Sequence, residues 1–115
     1  MSAVTTHVLD TALGRPAAGV PVRLERARGG ADEATVLGRA STDADGRASD
    51  LGPAELEPGT YRLVFGTGVY SRASRPAEPP FFPEVTVTFT VADAGRHYHV
   101  PLLLSPYGYS TYRGS

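Results

Sequence analysis

Val85-Thr86-Val87-Thr88-Phe89-Thr90-Val91 alternates apolar residues with threonine without a break, the period-two signature of a half-buried strand. One face carries Val85, Val87, Phe89 and Val91 toward a core, and the other leaves three threonines in water. Upstream, Tyr61, Leu63 and Phe65 alternate with Arg62 and Val64 after the Pro58-Gly59 turn. Val20, Val22 and Leu24 alternate with Pro21, Arg23 and Glu25, and Thr5 to Asp10 reads as a first strand ended by Gly14, Arg15 and Pro16. Ala34 to Thr42 reads as another strand, closed by Asp43-Ala44-Asp45-Gly46, where glycine supplies a positive φ and the aspartates bond the local backbone. Downstream, two further strands are expected at roughly 96–104 and 107–115, divided by Ser105-Pro106. Val69 to Ser74 suits a short helix, which Pro76, Pro79, Pro80 and Pro83 keep short. Many short strands between Gly/Pro turns predict an all-β protein, an antiparallel β-sandwich with one short helix. The stretch 71–84 is the expected disordered or partner-facing loop.

With 115 residues and 41% hydrophobic content, the chain is expected to form one domain, 1–115, with a single core that assembly could reinforce. No apolar run approaches a membrane span, and the first residues lack the basic and apolar regions of a signal peptide, so a soluble cytosolic protein is expected. The absence of cysteine excludes disulfides, thiolate nucleophiles and cysteine metal sites. A net charge of -1 provides no basic surface for nucleic acid or an anionic membrane. All 11 basic side chains are arginine, and Lys, Asn, Gln, Ile and Trp are missing. Schiff-base lysines and side-chain amide oxyanion donors are thereby excluded, leaving His, Arg, Asp, Glu, Ser, Thr, Tyr and the backbone as the chemical repertoire.

Two of the three histidines lie in the final stretch, His97-Tyr98-His99, and the chain finishes on Tyr112-Arg113-Gly114-Ser115. Polar chemistry concentrated at a terminus points to a site there, against the alternative of an edge strand that merely completes the fold. Strand alternation puts Thr5, His7 and Leu9 on one face, with Val8 on the other. His97 and His99 share a face with Pro101 and Leu103, opposite the core set Tyr98, Val100, Leu102 and Leu104. In the last strand Tyr107, Tyr109, Thr111, Arg113 and Ser115 line one face and Tyr112 the other, so Tyr112 and Arg113 converge only through a twist or a neighbouring subunit. Each histidine also has a plain reading as a half-exposed strand residue. The i, i+2 spacing of His97 and His99, about 7 Å at their bases, could let them share a metal with His7, but no carboxylate or cysteine nearby in sequence completes a set and no metal is expected. Arg47, just past a tight turn, is either a solvated surface residue or a bidentate donor for an anionic, carbonyl-rich ligand. Asp43/Asp45 and Glu55/Glu57 read as turn and loop residues. No Gly-x-Ser-x-Gly elbow appears and neither Ser105 nor Ser115 has a Ser-His-Asp context, which disfavours a serine hydrolase.

Thr5 to Asp10, Thr42 to Arg47, His97 to Pro106 and the terminal Tyr112-Arg113-Gly114-Ser115 together resemble the transthyretin-like 5-hydroxyisourate hydrolases, over nearly the whole chain. The terminal tetrapeptide is the specific part, since transthyretin, which shares the fold and binds thyroid hormone, does not end that way. The resemblance implies hydrolysis of 5-hydroxyisourate to 2-oxo-4-hydroxy-4-carboxy-5-ureidoimidazoline after urate oxidase, with no cofactor and no metal. It implies a homotetramer, a dimer of dimers, with sites in a channel at the subunit interface. It implies catalytic roles for His7, Arg47, His99 and Ser115, and substrate contacts from His7, Arg47, Tyr112 and Arg113. Without a peroxisomal address, the resemblance points to a bacterial cytoplasmic member. Two other classes stay open on the residues. One is a non-enzymatic channel binding a thyroid-hormone-like aromatic ligand; the other is an adhesive or accessory sandwich module.

Overall fold

The computed structural model describes residues 2–27 and 34–115. Along the described chain run β1 (Val4–Asp10), β2 (Arg15–Pro16), β3 (Pro21–Ala27), β4 (Ala34–Ser41), β5 (Arg47–Ala48) and β6 (Gly59–Phe65). They are followed by α1 (Thr67–Ser74), β7 (Val85–Val91), β8 (Tyr98–His99), β9 (Leu102–Ser105) and β10 (Gly108–Thr111). One sheet is antiparallel in the order β4-β3-β6-β7, and the other gathers β10, β9, β8, β2 and β5 around β1. Val85, Val87 and Val91 are buried while Thr86, Thr88 and Thr90 are exposed, as their alternation requires. Side chains from both sheets meet in the core, where Val4, Val8, Leu24, Leu63, Phe65 and Leu102 are almost fully buried. Each such side chain contributes about 1.5–3 kcal/mol of transfer free energy. No helix among the described residues is long and apolar enough to cross a membrane.

Five local expectations change. The sheet around β1 is mixed rather than wholly antiparallel, because β8 and β9 both run parallel to β1. The strand expected over 96–104 is interrupted at Val100-Pro101, where proline has no N–H to give to a ladder. Regular pairing in the last strand stops at Thr111 rather than running to 115. Arg15 and Pro16, read as the end of the first strand, instead turn back to pair with Asp10 and Leu9. The helix starts at Thr67, two residues before the expected Val69, and stops before Pro76.

Asp10 anchors this corner. Its Oδ1 accepts the backbone N–H groups of Ala12 and Leu13 at 3.1 and 2.9 Å, its Oδ2 accepts the Tyr70 hydroxyl at 2.7 Å, and Arg75 lies 3.7 Å away. Burial and the adjoining carboxylate push the Tyr70 phenol up to about 12.

The turn before β5 is fastened onto β1. The Asp43 carboxylate accepts the N–H groups of Asp45 and Arg47 at 2.9 and 3.0 Å, and Val8 N–H donates to the Gly46 carbonyl at 2.7 Å. Gly46 has φ +76°, and a Cβ there would strike the Val8 carbonyl and come within 3.0 Å of Pro16 Cβ. Both the conformation and the close approach therefore demand glycine. Gly46→Ala is expected to cost about 3 kcal/mol through strain and displacement of the turn. Urea unfolding of the purified variant at the wild-type midpoint would refute this account of the turn.

Candidate active site

The outward face of β1 is where the sequence motifs meet. Val4, Thr6, Val8 and Asp10 point inward and are buried, so Thr5, His7 and Leu9 take the opposite face. Antiparallel pairing sets His7 opposite Arg47 of β5, and parallel pairing sets Thr5 opposite His99 of β8. Directly paired residues present their side chains to the same face, so His7, Arg47 and His99 gather on one side of the sheet. His7 and His99 are half-buried and Arg47 is exposed.

Hydrogen bonds orient both imidazoles. His7 Nε2 lies 2.8 Å from the Asp45 carbonyl, which can only accept, so Nε2 carries the proton and Nδ1 of neutral His7 is the lone pair. The turn that positions Arg47 thus also fixes the tautomer of His7. His99 Nδ1 lies 2.8 Å from Thr5 Oγ1, and the same hydroxyl is 3.1 Å from His97 Nε2. Among the described residues, His99 Nε2 has no hydrogen-bond partner. Burial holds the His99 pKa below the 6.5 of a free imidazole, reinforced by the charge of Arg47 and then by His97 and His7. His99 is accordingly a neutral imidazole at pH 7, with the protonation state a base requires.

Gly114 closes the other side of His99. Its N–H donates to the His99 carbonyl at 2.8 Å, and a Cβ on Gly114 would lie 2.5 Å from His99 Cδ2 and 3.2 Å from Cγ. The terminal tetrapeptide therefore meets the His99 ring through its glycine. Within this chain Arg113 turns elsewhere: its guanidinium sits 5.0 Å from the ring centroid of Tyr98, on the opposite face from His99. Tyr112 is 55% exposed and Ser115 is exposed. One chain thus brings together His7, Arg47 and His99, and among the described residues Tyr112, Arg113 and Ser115 make no hydrogen bond or ion pair to them. Thr5 and Gly114 are parts of the site that the sequence did not single out. Thr5 carried one available signal, its place on the same strand face as His7. Among the described residues, no three His, Asp, Glu or Cys side chains are grouped as a metal site.

Residues 4–114 match the HIUase/Transthyretin family. The chain is 50% identical, over 100% of both sequences, to the 5-hydroxyisourate hydrolase of Caulobacter vibrioides. The structure of Klebsiella pneumoniae 5-hydroxyisourate hydrolase superposes with a TM-score of 0.82 at 36% identity, covering 100% of each chain. Transthyretin from Sparus aurata superposes with a TM-score of 0.84 at 28% identity, covering 99% of this chain and 97% of the other. With two imidazoles and a guanidinium on the outer face of such a sandwich, the chain belongs to the HIUase/Transthyretin family.

Proposed function

We propose that this chain hydrolyses 5-hydroxyisourate in urate degradation, opening the six-membered ring at a cyclic amide to give 2-oxo-4-hydroxy-4-carboxy-5-ureidoimidazoline. The observation that carries the reading is the convergence of His7, Arg47 and His99 on one open face, with the tautomer of His7 and the protonation of His99 already set for catalysis. A cyclic amide carbonyl needs an activated water, a donor for the developing oxyanion and a proton for the departing nitrogen. Neutral His99 takes the proton from water. Arg47 holds the urate-like anion and stabilises the oxyanion, a contribution of about 3 kcal/mol for a well-aimed donor. His7 takes a proton from solvent at its Nδ1 lone pair and passes it to the departing nitrogen, while the Asp45 carbonyl steadies the transient imidazolium through Nε2–H. No cofactor or metal enters these steps. A non-enzymatic binding channel is the less favoured reading, because the full-length relative with half its residues in common is a hydrolase.

In this reading residues 1–115 are one hydrolase domain and the working unit is a homotetramer, a dimer of dimers, located in the bacterial cytoplasm. Tyr112, Arg113 and Ser115 then complete the site of a neighbouring subunit: Tyr112 and Arg113 bind substrate and Ser115 supports the histidines. The exposure of these three residues and the open outer face of β1 support that arrangement. The bacterial source of the 50% identical relative supports the location.

The test follows the absorbance decay of 5-hydroxyisourate freshly generated from urate by urate oxidase. The full chain is expected to accelerate decay, and a form lacking residues 112–115 is not. Because protonated His99 cannot accept a proton, kcat/KM should rise with pH, with its half-maximum below 6.5. Arg47→Gln removes a positive neighbour and should move that midpoint upward, while lowering the rate. Unaccelerated decay with folded protein would overturn the hydrolase; a midpoint above 6.5 would overturn the role of His99.

A further inference from the structure

Thr5 Oγ1 lies between His99 Nδ1 at 2.8 Å and His97 Nε2 at 3.1 Å. Thr5 is only 9% exposed, His99 is half-buried and His97 is exposed, so the three groups run from the outer-face site to solvent through one buried hydroxyl. A hydroxyl carries a single proton, so in this arrangement it donates to one imidazole and accepts from the other. The two histidines therefore cannot choose their tautomers independently. A free Nε2 lone pair on neutral His99 requires a proton on Nδ1, donated to Thr5 Oγ1; Thr5 then donates to His97 Nε2, and His97 carries its own proton on Nδ1. The Asp45 carbonyl fixes His7 by a separate contact, so this coupling is confined to Thr5, His97 and His99.

We propose that His97, Thr5 and His99 form a proton relay that selects the reactive tautomer of His99 and carries its proton to solvent. The relay rests on the hydrolase reading for the step that loads it. When His99 Nε2 takes a proton from the attacking water, its Nδ1 proton passes to Thr5 Oγ1. The Thr5 hydroxyl proton passes to His97 Nε2, and His97 Nδ1 releases one to solvent. No net charge remains on the chain after the transfer, and each ring has exchanged the nitrogen that bears its hydrogen. Thr5 and His97 act through His99 and are positioning residues. Gly114 closes the far side of the His99 ring, so His99 cannot swing away from Thr5 without displacing the terminus.

The test uses the full chain, with Thr5→Val removing the hydroxyl, Thr5→Ser retaining it, and His97→Ala removing the solvent end. Nitrogen-15 NMR of the imidazoles at a pH where both are neutral reads the tautomers directly. The relay expects His99 protonated on Nδ1 in the wild type and in Thr5→Ser, and a shift toward the Nε2–H form of free imidazole in Thr5→Val. In the hydroxyisourate assay His97→Ala should turn over about tenfold more slowly, the usual effect of losing a partner one step behind a functional imidazole. Added imidazole should restore its rate while leaving the wild type unchanged. An unaltered His99 pattern in Thr5→Val would overturn the relay, as would full, imidazole-independent turnover in His97→Ala. If the wild type fails to hydrolyse hydroxyisourate, the hydrolase reading falls, and the NMR comparison still decides the Thr5 coupling.

Discussion

His99→Ala is expected to lower kcat/KM for 5-hydroxyisourate by about 10³-fold, within the range lost when a positioned acid or base is removed. The loss should leave the fold intact. Tyr98 and Val100 on either side supply the core contacts, the backbone pairing of β8 with β1 does not use the imidazole, and the Gly114 N–H bonds the His99 carbonyl rather than its ring. His7→Ala should lose a comparable factor for a different reason. The Asp45 carbonyl keeps its place in the turn, but the Nδ1 atom that shuttles a proton to the departing nitrogen is gone. Steady-state kinetics, thermal unfolding and the oligomeric state of both variants check the assignment together. Near-normal turnover, or a loss accompanied by unfolding, would make these histidines structural.

Gly114→Ala is the second large effect, about 10²-fold in kcat/KM, the scale on which displacement of a reacting group by about 1 Å is felt. Gly114 does not have a positive φ, so alanine suits its backbone, and the conflict is confined to the His99 ring 2.5 Å from the new methyl. The ring cannot simply rotate away, because its Nδ1 is held by Thr5 Oγ1. Since the methyl acts only through His99, a double variant with His99→Ala should be no slower than His99→Ala alone. Independent losses that multiply would show that Gly114 acts elsewhere, and unchanged activity in Gly114→Ala would show that the ring has room to move.

Much of this architecture is written locally. The alternation of Val85 to Val91 specifies a strand and its buried face, and Asp43 to Gly46 specifies a turn through its own side-chain chemistry. The core side of Tyr98, Val100, Leu102 and Leu104 follows from the same period even though Pro101 interrupts the pairing. The site needs more than period. His7 reaches Arg47 through an antiparallel register and Thr5 reaches His99 through a parallel one, and neither register is encoded in a single strand. Recognisable motifs marked His7, Arg47 and His99, whereas Thr5 is an ordinary strand former until its cross-strand partners are known. Gly114 resembles any terminal glycine until the His99 ring is found where its Cβ would be. The turning of Arg113 onto Tyr98 likewise depends on where β10 ends, at Thr111, beyond which alternation no longer decides direction.

The hub position of β1 has a kinetic consequence. Thr5 and His99 are 94 residues apart, and the other half of the site comes from a turn 38 residues beyond His7. Closing loops of that length precedes any reward from the contacts, so this domain belongs with the high-contact-order, slowly folding β proteins. A nascent or partly folded chain can hold its antiparallel pairs β3–β4 and β6–β7 and still have no constellation of imidazoles. Competence for chemistry arrives with the last long-range pairing rather than accumulating as the antiparallel pairs form.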